Sequence, residues 1–512
     1  MPATSFQLQP FEQQLFRNGW VASDYPIVDN AVSRLYNFRV EVRGLELVEG
    51  WDLKHQVAIT ANSLSVMRSC SFVSPEGKRF AIFFLPQDIV LVYGDTSLDG
   101  IYAANISPLT GMQGWSWSDV AVIGSDVYIN GEYGLYKWNM NFATAPERVQ
   151  LVTPPSPDSP PIPIGKAIGT LGYRVVLGHI VERDQSGQIT ATYPNRIVWS
   201  GLNEPNHFDP LAYFDLYEKD EIWRILPLGD NLIIYTSHSA YALSQTGDVV
   251  APFSLTHLME NLELINPNCI ANVSMHEFRG HVLVTQTGVW VMVGQESQLI
   301  SANLRPIWRS FVAQSEGNLA VFTDPINEEV LIADLKNHKA IVFQTRFRTW
   351  YERDFNLEGW GTAGLTATSM TNVGVRRAVV ENGTVLQIFK IEGVTRDDKP
   401  AEASIQTFVY EITLPTQEAV LHGGTVYWTT EAAAGGNLIY KIIGGKHVND
   451  VIMNLPVIES REYQITIGLP VPYIEVKRMT QRAFRWEMKF TGLTKPLTVH
   501  GHVAYFRPPV SR

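Results

Sequence analysis

Seven times along this 512-residue chain the same short pattern returns: a turn-forming pair, a brief apolar run, then a polar break. The stretches are EGKRFAIFFL, IGSDVYINGEYGLYKW, LGYRVVLGH, LGDNLIIYTSHSAYAL, FRGHVLVTQTGVWVM, INEEVLIADLKNHKAIVF and GVRRAVVENGTVLQIF. Aligned on Phe80, Val127, Val175, Leu232, Val282, Val330 and Arg376, they recur at steps of about 46–57 residues, the size of one propeller blade. In five of the seven a second strand follows after a hairpin turn: GLYKW, AYAL, GVWVM, AIVF and VLQIF. A small sheet of such strands cannot bury both its faces alone. Packing the sheets around an axis covers the faces and leaves only short edges in water.

The pattern therefore predicts a mainly-β protein. Its centre is a β-propeller of six or seven blades over residues 61–400, with a pair of β-sandwiches as the competing arrangement. Residues 1–60 read as an irregular N-terminal arm that closes the ring or reaches a neighbour. From 401 to 512 the strands lengthen and alternate, as in ASIQTFVYEITLP and RAFRWEMKFTGL, which predicts an accessory β-sandwich-like C-terminal domain. Two short helices are expected, one after Asp29 or Asn30 and one after Ser301. TPPSPDSPPIP, residues 153–163, reads as a semi-rigid crossing strap.

Charge and cysteine content narrow the function. A formal net charge of −11 argues against a protein that grips nucleic acid through its phosphates, though not against a wall past which DNA slides. Cys70 and Cys269, far apart in sequence, imply no disulfide framework and a reducing compartment. The first twenty residues lack a signal-peptide pattern, and no apolar run is long enough to span a bilayer. The glycosylation-type triplets at Asn105, Asn272 and Asn382 read as chance matches.

Two carboxylates suggest chemistry. Asn203-Glu204-Pro205 and Glu381-Asn382-Gly383 match the acid/base and nucleophile tripeptides of barrel-fold retaining glycosidases. Such a barrel needs several amphipathic helices between them, and one short candidate is visible. The competing reading makes NEPNHFDP a turn-rich loop and VVENGTVLQIF a hairpin turning at Asn-Gly. HEFRGH places His276 and His281 five apart, off a common helix face, and reads as surface or hairpin-turn histidines rather than a zinc site. Lys477, Arg478, Arg482, Arg485 and Lys489 would share a strand face, either a solvated one or one that meets an acidic partner or DNA. The thirteen tryptophans are expected between blades or subunits, with a carbohydrate platform as the alternative. No catalytic residue, cofactor site or metal site is assigned.

One stretch carries a family resemblance. In NRIVWSGLNEPNHFDP, the residues Asn195, Arg196, Val198, Trp199, Ser200, Pro205, Phe208 and Asp209 resemble a segment of the tail-nozzle (tail-hub, or packaged-DNA stabilisation) proteins of short-tailed bacteriophages. The early NAVSRLYNFRVEVRGLELVEGW and the late RMTQRAFRWEMKFTG are similar to that family's opening and closing segments. They depart from it at Arg43-Gly44, where Pro-Gly is usual, and at Gln481, where glycine is common. The resemblance implies a non-enzymatic virion protein, made in the host cytoplasm and assembled as a homohexameric ring below the portal and a tail adaptor. Fibres or spikes would attach around the ring, and packaged DNA would be retained by its lumen and pass through it on ejection. The alternatives are a retaining glycoside hydrolase using Glu204 and Glu381, or a carbohydrate-binding propeller.

Overall fold

In a computed structural model the described residues run from 9 to 507 with gaps between strands, the longest at 23–31, 59–67, 107–117, 150–162, 355–368, 392–400 and 466–473. Side chains of several strands, among them 9–14, 51–56 and 369–391, lie outside the description, as does nearly all of the proline-rich strap.

Among the described residues, seven four-stranded antiparallel sheets follow one another. Six span 68–105, 120–148, 164–215, 222–259, 270–299 and 319–354, and the seventh spans 369–391. Every position that aligned the repeat falls on the second strand of its sheet: Phe80, Val127, Val175, Leu232, Val282, Val330 and Arg376. The hairpin strand that follows is the third, as in Gly134–Trp138, Ala240–Gln245, Gly288–Val293, Lys339–Gln344 and Val385–Ile391.

The first strands form the inner wall. Ile164–Leu171 packs on Ile222–Leu228, and Ile270–Met275 on Leu319–Asp324. The first strand of the seventh sheet, Ser369–Val373, packs back on Arg68–Val73 and Arg79–Phe84 of the first, so the circle closes. The fold is a β-propeller, and the count left open between six and seven resolves as seven sheets. Aromatic residues fill the seams as expected. Trp138 meets Phe80 edge-on at 6.1 Å between sheets one and two, and Trp199 meets Phe253 at 5.3 Å between sheets three and four.

The N-terminal segment completes two structures. Trp51–Ala58 pairs antiparallel with Val385–Ile391 as the fourth strand of sheet seven, so chain segments over three hundred residues apart share one sheet. Arg34–Tyr36 inserts between the outer strand of sheet six, which it pairs in parallel at Glu352, and Ala401–Gln406, which it pairs antiparallel. Sheet six thereby runs without a break into the C-terminal strands Ala483–Leu493, Asn437–Gly445 and Val457–Gln464 as one ten-stranded sheet. A second sheet lies over it, made from Phe38–Glu41, Gly44–Leu47, Leu497–Arg507, Ala419–Thr430 and Ile474–Gln481, with Gln9–Gln14 at its flank. Phe38 meets Phe490 at 5.5 Å and Trp486 meets His502 at 5.2 Å between the two. One hydrophobic core extends from this sandwich into sheets five and six.

The expected helix after Asp29 or Asn30 gives way to strand: residues 34–36 are extended, and residues 23–31 lie outside the description. Strand pairing on both sides, with Leu35 fully buried, overrides a weak local helix signal. The helix expected after Ser301 is present as a short turn, Ala302–Leu304, leading into Arg305–Ser315.

Candidate interaction surface

The stretch that carries the resemblance forms the outer hairpin of sheet three, Ile189–Gly201 and Glu204–Asp215, at 13 and 12 residues long for a propeller's outer strands. The turn between them puts Asn203 at φ +57°, a conformation asparagine tolerates better than most residues. Arg196 lies between two rings, its guanidinium 4.2 Å from the centroids of Tyr193 and Tyr213. The same guanidinium donates to both Asp215 oxygens at 2.7 and 2.9 Å. This fork holds the Asp215 carboxyl below its ordinary range and raises the guanidinium further.

The other motif residues tie the hairpin to its neighbours. Asn195 donates its side-chain amide to the Leu216 carbonyl at 3.0 Å, and Leu216 returns a backbone bond to Asn195. Ser200 Oγ accepts from the Val175 amide, Trp199 packs toward sheet four, and Phe208 joins the core shared with sheet two. Asp209 accepts from the Leu211 amide. Among the polar residues exposed on the hairpin, such as Glu204, His207 and Asp209, Leu211 is a large apolar side chain 84% exposed, and Tyr217 just past its end is 88% exposed. At the turn end Tyr173 and Leu202 are exposed too, as are Val249 and Val250 on the outer turn of sheet four. Side chains of this kind, fixed from beneath and bare on top, suit a protein contact.

The interior of the ring is bridged by polar groups. Arg224, on the inner strand of sheet four, pairs with Asp119 of sheet two at 3.4 Å and donates to the Ile270 carbonyl of sheet five. Cys70 of sheet one donates to Asp119 Oδ1 at 2.8 Å, and Asn130 of sheet two donates to the Gly165 carbonyl of sheet three. Nothing in the sequence signals these partners, because they come from five separate repeats.

The glutamate pair is not assembled. Glu204 is exposed at the hairpin turn of sheet three, opposite Gly201, while Glu381 sits opposite Leu386 in sheet seven, its side chain outside the described residues. Sheets three and seven are not neighbours in the ring, and the parallel strands and helices of a barrel are absent among the described residues.

His276 is likewise outside the description, but His281 corrects the surface reading. It is fully buried between sheets four and five, with Nδ1 2.7 Å from the Tyr235 hydroxyl and Nε2 3.0 Å from the Pro227 carbonyl. A carbonyl only accepts, so Nε2 carries the proton and Nδ1 accepts from Tyr235. Burial holds this imidazole down at about 4.

The five basic residues do not share a face. Lys477 and Arg478 belong to one sheet of the sandwich and Arg485 and Lys489 to the other, and Arg482 is outside the description. Arg485 is buried, and Lys489 pairs with Glu402 at 3.0 Å beside a Lys441–Glu487 pair at 2.8 Å. Cross-strand acids answer these lysines, which is the solvated-face reading. Cys70 and Cys269 are both free thiols, and burial pushes the Cys269 thiol up to about 12. Among the described residues no group of three or more His, Cys, Asp or Glu is placed to hold a metal, and no helix is long and apolar enough to cross a membrane.

No family and no curated protein matches this chain. Solved structures do. "YCF48 bound to D1 peptide" is similar at 9% identity and TM-score 0.35, over 69% of this chain and 95% of that one. Chaetomium thermophilum Raptor is similar at 7% identity and TM-score 0.39, over 67% of this chain and 30% of that one. The structure of U3-55K is similar at 8% identity and TM-score 0.35, over 67% of this chain and 98% of that one.

Proposed function

We propose that this chain is a structural subunit of a bacteriophage tail nozzle, assembling side by side with copies of itself below a tail adaptor to retain and release packaged DNA. One observation carries the reading. The residues that resemble that family, from Asn195 to Asp209, lie in a single braced hairpin that exposes Leu211, with exposed Tyr217 just past its end. A braced rim that carries exposed apolar side chains among polar ones suits a subunit that forms a ring without deforming.

The join between sheet six and the sandwich supports the same reading, since a continuous sheet makes propeller and sandwich a stiff wall element. The Asp119–Arg224 bridge crosses the interior of the propeller, so the lumen of such an assembly lies between subunits and not along the axis of one ring. A net charge of −11 suits a wall that does not trap a polyanion.

Negative-stain electron microscopy of concentrated protein, alone and mixed with its adaptor, tests the proposal. Rings with a central hole are expected in the mixture; monomers persisting there would overturn it. Cleavage of a glycoside panel by the wild type, lost in Glu204→Gln, would overturn it as well.

A further inference from the structure

Twice in this fold an outer sheet edge receives a strand from elsewhere in the chain. Trp51–Ala58 completes sheet seven, and Arg34–Tyr36 covers Thr349–Asp354 of sheet six. Sheet five, next in the ring, ends at Glu296–Leu299, whose far edge pairs with no strand among the described residues. The outer strand of sheet three is blunted by Pro205 and Pro210, whereas Glu-Ser-Gln-Leu keeps all its amides.

Beside this edge runs a groove of about 640 Å³, bounded across by Phe343 and Arg348 of sheet six. All four residues from Glu296 to Leu299 line it. Successive strand side chains point to opposite faces, so four in a row line a groove only if it follows the edge, where main-chain donors and acceptors lie. Its apolar lining includes Val291, Leu299 and Phe343, with Val293 half exposed. Arg348 stands in the turn before Thr349 at φ +52°, exposed, with no hydrogen bond or ion pair among the described residues.

We infer that this groove binds an extended segment of a partner polypeptide, which adds as a fifth strand to Glu296–Leu299 and places one carboxylate on Arg348 between apolar residues. Main-chain pairing supplies affinity, and Phe343 with Val291 receives alternate side chains. The cation of Arg348 selects an acid at one position, while Glu296 disfavours a second acid along the strand. This site is independent of the nozzle reading and is tested on the isolated full chain.

The probe is a fluorescein-labelled octapeptide, blocked at both ends, alternating valine and threonine around one aspartate. Its anisotropy is expected to rise saturably with protein. Arg348→Glu weakens binding about fivefold, the scale of a partly exposed ion pair. Changing the probe aspartate to lysine weakens binding to the wild type and restores it to Arg348→Glu. Val293→Asp weakens it by a separate route, and proline at the probe centre abolishes it. Circular dichroism matching the wild type shows that both variants fold. No saturation, or an affinity indifferent to both substitutions, would overturn the inference. Self-association of the chain lost in the same two variants would also overturn it, by giving the groove to a second copy.

Discussion

Arg224 Nε lies 3.4 Å from Asp119 Oδ2, although the two residues belong to sheets four and two with a whole sheet between them. The contact therefore crosses the interior of the ring instead of a seam. Both side chains are largely withdrawn from water, at 13% and 7% exposure. Sheets one to five are thus tied by polar bonds as well as by packing at their seams.

Arg224→Ala should cost stability out of proportion to its size. It leaves Asp119 buried with its cation removed, and breaking one side of such a pair costs roughly 3–5 kcal/mol. Urea unfolding of the variant is expected to show a midpoint well below the wild type. A midpoint unchanged within error would mean that water already screens the pair.

Two buried histidines make the fold acid-sensitive. Burial holds His281 at about 4 and His502, which lies against the Tyr440 hydroxyl at 2.6 Å, at about 3, against an ordinary 6.5. Above pH 6.5 both folded and unfolded chains hold them neutral, and their contribution to stability is fully present. As pH falls below 6.5 the unfolded chain takes up protons that the folded chain refuses, so stability drops until the folded values are reached. For His281 the loss is on the order of 3 kcal/mol. Unfolding midpoints measured from pH 7 to pH 4 should fall, and fall less in a variant carrying His281→Gln and His502→Gln; equal slopes would refute the assignment.

Two glycines separate crowding from backbone strain. A Cβ on Gly169 would stand 2.7 Å from Ile225 Cγ2 and 3.3 Å from both Leu232 methyl groups, in the seam between sheets three and four. Gly169→Ala is expected to cost about 1–3 kcal/mol through overpacking. Gly229 turns at φ +60° with nothing within 4 Å of its Cβ position, so Gly229→Ala costs only the left-handed penalty of about 1–2 kcal/mol. Thermal unfolding of the two, with an Ile225→Ala background that removes the 2.7 Å contact and relieves only the first, distinguishes the causes.

Much of the ring was legible residue by residue. Phe80, Val127, Val175, Leu232, Val282, Val330 and Arg376 share a strand position because alternation and turn chemistry are local properties that survive in any context. The tryptophans of YKW and IVWS were placed between sheets by the same logic, since large rings need two surfaces to bury them. The helix near Asp29 failed as an expectation because its residues are claimed by strands from either side.

Other features left no mark in any window of sequence. The burial of His281, the division of Lys477 and Lys489 between two sheets, and the separation of Glu204 from Glu381 depend on which sheets become neighbours. Strand and turn content, repeat length and the seam aromatics follow from short-range patterning, which each segment carries alone. The fourth strand of the seventh sheet, the strand that Arg34–Tyr36 lends to two domains and the Asp119–Arg224 bridge arose only on folding. Main-chain edges have no side-chain signature, and a pair drawn from separate repeats exists only once the ring has closed.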